Sequence, residues 1–229
     1  MVGIQCINLS EQRCINFNEP YSDNSIVDDD SPTVEEFENS ITQWAANQKS
    51  DGPLYVYLID HGGVDTYNLF PGEIIHAQKL NEWLTVFQDA THRDVIIMIE
   101  ACKSGTFIDN LDTNAQKRIV ITSTNHQDAY LDPKGTLSFT QFFMDRVRTV
   151  DSIQKSYLYA CKKLENIGQP YNLMNPQLVD DELLNSDTMF YISFCEIIKS
   201  CIKYLIFCQH IYTTYRAPNI KKQSITDNY

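Results

Sequence analysis

The sequence predicts an α/β fold in which a mostly parallel sheet is flanked by helices. Three segments, 53–63, 93–105 and 117–130, each contain an apolar run that is nearly free of polar residues. Such runs are typical of parallel strands that are buried on both faces. Helical patterns lie between and after them, and the resulting order of strand, helix, strand, strand, helix is typical of a doubly wound sheet.

The first element is a short strand candidate, GIQCINL, within residues 1–32, and polar, acidic sequence follows it. A helix is then predicted to begin with Ser31 as N-cap and Pro32 in the first helical position, because these residue types favour those places. Behind this start, apolar residues recur at helical spacing and give the helix one apolar face. They are Val34, Phe37, Ile41, Trp44 and Ala45.

Loops and helices connect the three strands. A polar loop is predicted over residues 64–78, and a helix over 79–90 leads to the second strand. After the third strand, helical patterns resume over 137–150 and 151–168. From Gly168 onward the alternation stops, and a loop with two prolines and an acidic cluster follows.

The end of the chain departs from this pattern. Its most apolar stretch, residues 189–208, contains Glu196, Lys199 and Lys203. Charges at that density favour an amphipathic helix over a membrane span. We therefore predict three regions: an N-terminal strand and acidic loop (1–32), one α/β domain (33–188) and a helical or irregular C-terminal tail (189–229).

Composition narrows the classes of partner. The 229 residues carry a formal net charge of −12, which argues against nucleic acid or an anionic membrane as the main partner. The seven cysteines lack a paired CxxC spacing, so we expect reduced thiols, no metal site and no cofactor. The acidic stretch VDDELLNSD lacks the glycine and spacing of a calcium loop. The first residues do not form a signal peptide, so the cytoplasm is the default compartment.

Two side chains stand where strands of the predicted sheet end. His61 follows the first apolar run and Cys102 follows the second, each with glycine close behind. Because ligands bind at the carboxyl ends of parallel strands, both side chains are expected at one edge. A thiol beside an imidazole favours nucleophilic catalysis, with the backbone N–H groups of Gly62 and Cys102 as oxyanion donors. A lone cysteine at a strand end is more often a small buried hydrophobe, and only the pairing with His61 reverses that preference.

The motifs DHGG and EACKSG, whose His61 and Cys102 are 41 residues apart, resemble those of the legumain (asparaginyl endopeptidase) family of caspase-like cysteine peptidases. The resemblance is strongest to the bacterial-type branch and covers roughly residues 28–180, with gaps. The further similar segments are SPTVEEFENSITQWA, LYVYLIDHGG, NLFPGEII, RIVITSTNHQDAY, LSFTQFF and NPQL.

The resemblance implies a caspase-like three-layer fold and a peptide or protein substrate. By position in the motifs, it implies that His61 is the general base and acid, Cys102 the nucleophile and Gly62 an oxyanion donor. It also implies that Glu100 lines the primary specificity pocket. Asp60 would have a local structural role.

The sequence also departs from the family. Only GIQCINL precedes the first helix, so the fold is expected to lack its first strand, and an open sheet edge would call for a partner chain. The Asn and Arg that the family places near the catalytic His and in the specificity pocket have no counterpart. Ser138 occupies the place of a further acidic pocket residue. Asp128, beyond the third strand, is either a pocket residue or an exposed loop residue.

The leading hypothesis is therefore a cysteine endopeptidase that uses a Cys–His dyad. The short N-terminus favours an alternative, a catalytically inactive caspase-like module that binds peptides or partners. A third hypothesis is another thiol enzyme of α/β type, such as an acyl transferase or a small-molecule hydrolase.

Overall fold

The structure is a computed structural model of the chain. Among the residues that it describes, no helix is both long and apolar enough to cross a membrane. The described residues are 4–6, 27–28, 33–49, 52–70, 72–112, 116–132, 136–149, 151–180 and 205–209.

The described residues form ten strands and five α-helices. In chain order the strands are β1 (Ile4–Cys6), β2 (Val27–Asp28), β3 (Leu54–Ile59), β4 (Gly62–Gly63), β5 (Thr66–Phe70), β6 (Glu73–His76), β7 (Val95–Glu100), β8 (Arg118–Thr122), β9 (Gln177–Asp180) and β10 (Leu205–Gln209). The α-helices are α1 (Val34–Asn39), which continues as a π-helix over Ser40–Ala45, α2 (Ala77–Thr91), α3 (Ile108–Leu111), α4 (Phe139–Val147) and α5 (Ile153–Ile167). Single 3₁₀ turns lie at Ser104–Phe107 and Tyr171–Leu173.

The central sheet has the strand order β2-β1-β10-β3-β7-β8-β9. Strands β10, β3, β7 and β8 pair in parallel. At one edge β1 pairs antiparallel with β10 and β2 antiparallel with β1, and at the other edge β9 pairs antiparallel with β8. This arrangement confirms the predicted α/β class with a mostly parallel sheet flanked by helices.

The two faces of the sheet pack against different helices. Alternate residues of β7 point to opposite faces, and all six are buried. On one face Ile97 and Ile99 join a core that includes Phe37 of α1 and Leu84 of α2. On the other face Ile96, Met98 and Ile121 join Phe139 of α4 and Leu164 of α5. Each fully buried side chain of this size contributes about 1.5–3 kcal/mol to the free energy of folding. The two packed layers therefore fix the sheet and, with it, the carboxyl ends of its strands.

A buried arginine joins β8 to α2. The side chain of Arg118 is 2% exposed, and it donates hydrogen bonds to Gln88 Oε1 (2.7 Å), Asn81 Oδ1 (2.6 Å) and Thr85 Oγ1 (2.8 Å). Burial lowers the pKa of Arg118 to about 10. The cation is thus stabilised by neutral side-chain oxygens of one helix, which ties that helix to the base of the third parallel strand.

Helix α1 begins later than the sequence pattern predicts. Its N-cap is Thr33, whose hydroxyl accepts the backbone N–H of Glu36 at 3.1 Å, so the prediction of Ser31 was wrong. Thr33 has an extended backbone and an oxygen in reach of the third N–H of the helix, which is what an N-cap requires. Residues 31 and 32 lie outside the described part of the chain.

The predicted loop over residues 64–78 is also different in the structure. Strands β5 and β6 lie within it, and together with β4 just before it they form a separate antiparallel sheet. Tyr67, Leu69 and Ile75 are fully buried, whereas Asn68 and Ile74 are exposed. This alternation has the period of a half-buried strand, and Gly72 turns the chain with a φ of 90°.

Two predictions about the end of the chain also need correction. The predicted loop after Gly168 contains β9, which pairs with β8. Within the predicted tail, residues 205–209 form a strand, not a helix, and pair in parallel with β3 along the edge that the sequence left open. The rest of residues 189–229 lies outside the described part of the chain.

Candidate functional site

Two parallel strands carry His61 and Cys102 to the same edge of the central sheet. In the register of β3 and β7, Ile59 pairs with Glu100. The backbone N–H of Asp60 then donates to the carbonyl of Glu100 at 3.3 Å, so the pairing extends one residue past the strands. His61 and Cys102 each stand two residues beyond the last pair. The common edge that the sequence predicts for them is therefore present.

The turns that follow these strands lie against one another. A Cβ atom added to Gly62 would be 2.7 Å from the carbonyl oxygen of Cys102 and 2.9 Å from the Cβ of Ala101. Only glycine allows this approach, because any side chain would overlap the second turn. A little further along, the backbone N–H of Asp65 donates to Thr106 Oγ1 at 2.8 Å. The turn after β3 and the turn after β7 are thus held together at two places.

His61 is an exposed residue whose backbone is fixed on both sides. Its N–H donates to Asp60 Oδ1 at 2.6 Å, and its carbonyl accepts the N–H of Asn68 at 2.9 Å. The carboxylate of Asp60 therefore makes a local structural contact, in line with the role that the resemblance implies. The imidazole stands at the surface of an ordered turn.

Cys102 has a free thiol and is half-buried in a tight turn. Lys103 has a left-handed backbone (φ 59°), and a 3₁₀ turn follows from Ser104. The thiol accepts the backbone N–H of Ala129 at 3.4 Å. The backbone N–H of Cys102 itself makes no hydrogen bond within the part of the chain that the structure describes.

The segment after β8 packs directly on this turn. Gly105 donates its N–H to the carbonyl of Asn125 at 3.0 Å, and a Cβ on Gly105 would lie 2.6 Å from the Cα of Asn125. Ser104 Oγ accepts the N–H of Thr124 at 3.2 Å. Glycine at position 105 is therefore needed for close approach of two backbones, and this approach fixes the Cys102 turn from a second side.

Glu100 and Ser138, two predicted pocket residues, come together at the start of α4. Glu100 is fully buried, and its oxygens accept the N–H groups of Phe139 (3.0 Å) and Thr140 (3.2 Å). Ser138 is 3% exposed and caps the helix by accepting the N–H of Gln141 at 3.0 Å. In this arrangement both side chains serve the N-terminus of α4, and neither is open to solvent.

Burial governs the protonation of this acid. It raises the pKa of Glu100 above its ordinary value of 4.5, although hydrogen bonds from the start of α4 act in the opposite direction. Burial, and secondarily the charge of Glu100, raises the pKa of the neighbouring Tyr57 hydroxyl well above its ordinary value. Glu100, Tyr57 and the N-terminus of α4 thus form one buried polar cluster next to the Cys102 turn.

The third predicted pocket residue, Asp128, is exposed and lies next to Ala129 on the segment after β8. In the described ranges, no three His, Cys, Asp or Glu side chains converge to hold a metal ion. The acidic residues 181–187 lie outside those ranges.

The sequence pattern did not identify Ala129 or Asn125 as neighbours of Cys102. Both act through backbone groups, which any residue type except proline can supply, so no side-chain signal marks them. Gly105 carried a weak signal, because a glycine soon after a strand end often marks a close backbone approach.

Comparisons with known proteins agree with this architecture. The sequence model described as "Peptidase C13 family" matches residues 32–162, more than half of the chain. Among curated proteins, the chain is 28% identical over 78 residues to a legumain of Pongo abelii and 27% identical over 78 residues to a legumain of Homo sapiens. The matched segment is 34% of this chain, and it spans only 18% of the length of either relative.

Proposed function

Because the chain belongs to the peptidase C13 family, the resemblance to legumains is confirmed, and we propose that the protein is a cysteine endopeptidase that hydrolyses peptide bonds with His61 and Cys102. One observation carries this proposal: the turns after β3 and β7 are in contact at Gly62, and they bear the imidazole and the thiol. Few arrangements other than thiol catalysis need these two groups on adjacent turns.

The proposed reaction has two stages. His61 accepts the proton of the Cys102 thiol, and the thiolate attacks the carbonyl carbon of the scissile peptide bond. When the C–N bond breaks, His61 returns the proton to the leaving amine, and the acyl group remains on sulfur. A water molecule, deprotonated by His61, then attacks the thioester and releases the acid and the free thiol.

The oxyanion of each tetrahedral intermediate would be stabilised by two backbone N–H groups. The N–H of Cys102 has no partner among the described residues, and that of Gly62 belongs to the turn in contact with it. The absence of a side chain on Gly62 lets its turn lie close enough to the Cys102 turn for the two N–H groups to act together. A preorganised donor of this kind contributes about 10²–10³-fold in rate.

We propose three residues for recognition of the side chain that precedes the cleaved bond. Asp128 is exposed beside the Cys102 turn and is available for direct contact. Glu100 and Ser138 are buried, so they would contact a substrate side chain only if it enters between β7 and α4. Cleavage preferences of Asp128→Asn and Glu100→Gln, measured against a set of peptides that vary at this position, separate the two contributions.

The function is tested with fluorogenic peptides that present each amino acid before the cleaved bond. We expect the wild type to cleave a subset, and we expect Cys102→Ala and His61→Ala to lose activity by at least about 10³-fold. Cys161→Ala is the matched control, because Cys161 is the other half-buried free thiol of the described residues and lies on α5. Equal cleavage by wild type and Cys102→Ala would contradict the proposal.

The alternative of an inactive binding module predicts a different result. A peptide bearing an electrophilic ketone would label Cys102 of an active peptidase stoichiometrically, and His61→Ala would label slowly. A protein that binds peptides tightly but neither cleaves them nor reacts with the ketone would favour the binding module. Turnover of esters without turnover of peptides would favour another thiol hydrolase.

A further inference from the structure

We propose that the backbone N–H of Ala129 is a positioning group that holds the Cys102 thiolate before substrate binds. The proposal rests on the peptidase function above, because it concerns the nucleophile of that site. Its basis is the hydrogen bond from the N–H of Ala129 to Cys102 Sγ, which measures 3.4 Å between nitrogen and sulfur. A hydrogen bond to a charged form favours that form, so this donor stabilises the thiolate.

Three alternate residues of the segment after β8 contact the Cys102 turn through their backbones. The carbonyl of Asn125 accepts the N–H of Gly105 at 3.0 Å, and the carbonyl of Gln127 accepts the N–H of Lys103 at 2.7 Å. Ala129 comes two residues later and donates its N–H to sulfur. The chain bends over residues 125–127, so the three contacts follow the curve of the Cys102 turn. The donor thus belongs to a continuous backbone contact.

The segment is held in this conformation by its own side chains. Thr124 Oγ1 donates to the carbonyl of Gln127 at 2.8 Å, and Asn125 Oδ1 accepts the N–H of Gln127 at 3.0 Å. The N–H of Asn125 donates to the carbonyl of Met174 at 3.1 Å. Since these bonds do not involve substrate, the bend that leads to Ala129 is already formed in the free protein, as preorganisation of the donor requires.

Ala129 offers a partner to both protonation states of the thiol. Its carbonyl oxygen lies 3.9 Å from Sγ, in reach of an S–H donor, while its N–H approaches to 3.4 Å. The thiol donates weakly at the longer distance, and the anion accepts at the shorter one. Loss of the proton therefore gives up only the weaker contact, while the N–H that already approaches sulfur remains to stabilise the anion.

The direct test is to remove this donor. Ala129→Pro lacks a backbone N–H, whereas Ala129→Ser retains it and is the matched control. The measurement is the rate of alkylation of Cys102 by iodoacetamide at several pH values, followed by mass spectrometry of the peptide that contains Cys102. We expect Ala129→Pro to react about tenfold more slowly at pH 7 and its rate–pH profile to shift to higher pH. An unchanged rate and profile would overturn the proposal.

A second measurement uses the wild-type chain, and so does not depend on the folding of a proline variant. With ¹⁵N-alanine labelling, the amide proton resonance of Ala129 should move with pH at the midpoint of the alkylation profile. In Cys102→Ala that movement should vanish. An Ala129 amide resonance with the same pH dependence in wild type and in Cys102→Ala would contradict the proposal.

The outcomes also separate this inference from the proposed function. Alkylation requires only the thiol, so a chain that cleaves no peptide still tests the role of Ala129. Suppose that peptide cleavage depends on Cys102 and His61 but that alkylation is the same in Ala129→Pro and wild type. This result would support the peptidase function and refute the positioning role of the Ala129 N–H.

Discussion

Substitution of Gly62 by alanine tests whether contact between the two turns is what assembles the site. The added Cβ would stand 2.7 Å from the carbonyl oxygen of Cys102, 2.9 Å from the Cβ of Ala101 and 3.1 Å from the carbonyl oxygen of Thr66. None of these atoms is the free end of a flexible side chain. The turns must therefore separate.

The size of the effect follows from these distances. An ordinary contact begins near 3.4 Å, so the Cys102 carbonyl must recede by about 0.7 Å, the difference from 2.7 Å. Overpacking of this kind costs about 1–3 kcal/mol of folding free energy. Misplacement of a reacting group by close to 1 Å costs about 10²-fold in rate. We expect Gly62→Ala to lower kcat/KM by about 10²-fold.

The assay compares Gly62→Ala with Gly63→Ala. A Cβ on Gly63 would meet Thr66 Oγ1 at 2.8 Å, and that hydroxyl can rotate away. Urea unfolding and peptide cleavage are measured on both variants. A Gly62→Ala protein as active and as stable as Gly63→Ala would refute the inference that close contact at position 62 brings the two turns together.

Two further predictions concern buried charges. Because burial raises the pKa of Glu100, the folded state keeps its proton at pH values above 4.5, where the unfolded chain has lost it. The contribution of Glu100 to folding stability is therefore complete below pH 4.5 and is lost as pH rises through the raised pKa. Urea unfolding between pH 4 and 8 should therefore show wild type losing stability with rising pH relative to Glu100→Gln, and a constant difference would contradict this. Arg118→Met should lower the free energy of unfolding by about 3 kcal/mol, because it leaves the oxygens of Gln88, Asn81 and Thr85 without their buried donor. Arg118→Lys should recover only part of that loss, since one ammonium group cannot match the guanidinium geometry, and a Met variant as stable as wild type would count against the role.

The sequence predicted the elements whose signals are local. The apolar runs of β3, β7 and β8 and the helical periodicity of α2 and α5 each lie within one short window, and the structure confirms them. The small sheet of β4–β6 and the short strand β9 were missed. Their strands are short and interrupted by turn residues, so a loop was the simpler interpretation.

In the candidate site, too, only the features with a local sequence signal could be predicted. Strand ends can be read from a sequence, so His61 and Cys102 could be placed at one edge, and their catalytic roles stay a prediction. The environment of Glu100 could not be predicted, because the start of α4 reaches it from 39 residues away along the chain. The pocket role that the resemblance implies for Glu100 stays a prediction, and the structure adds that its oxygens accept backbone N–H groups of that helix.

By itself, the sequence determined the class of fold, the family and the pair of residues that end two neighbouring strands. These depend on side-chain type and on spacing along the chain. Only the tertiary structure decided how the turns meet at Gly62, which groups Glu100 binds and which backbone N–H reaches the sulfur of Cys102. Such contacts join distant segments through backbone atoms that all residues share, so they become visible only when the chain is folded.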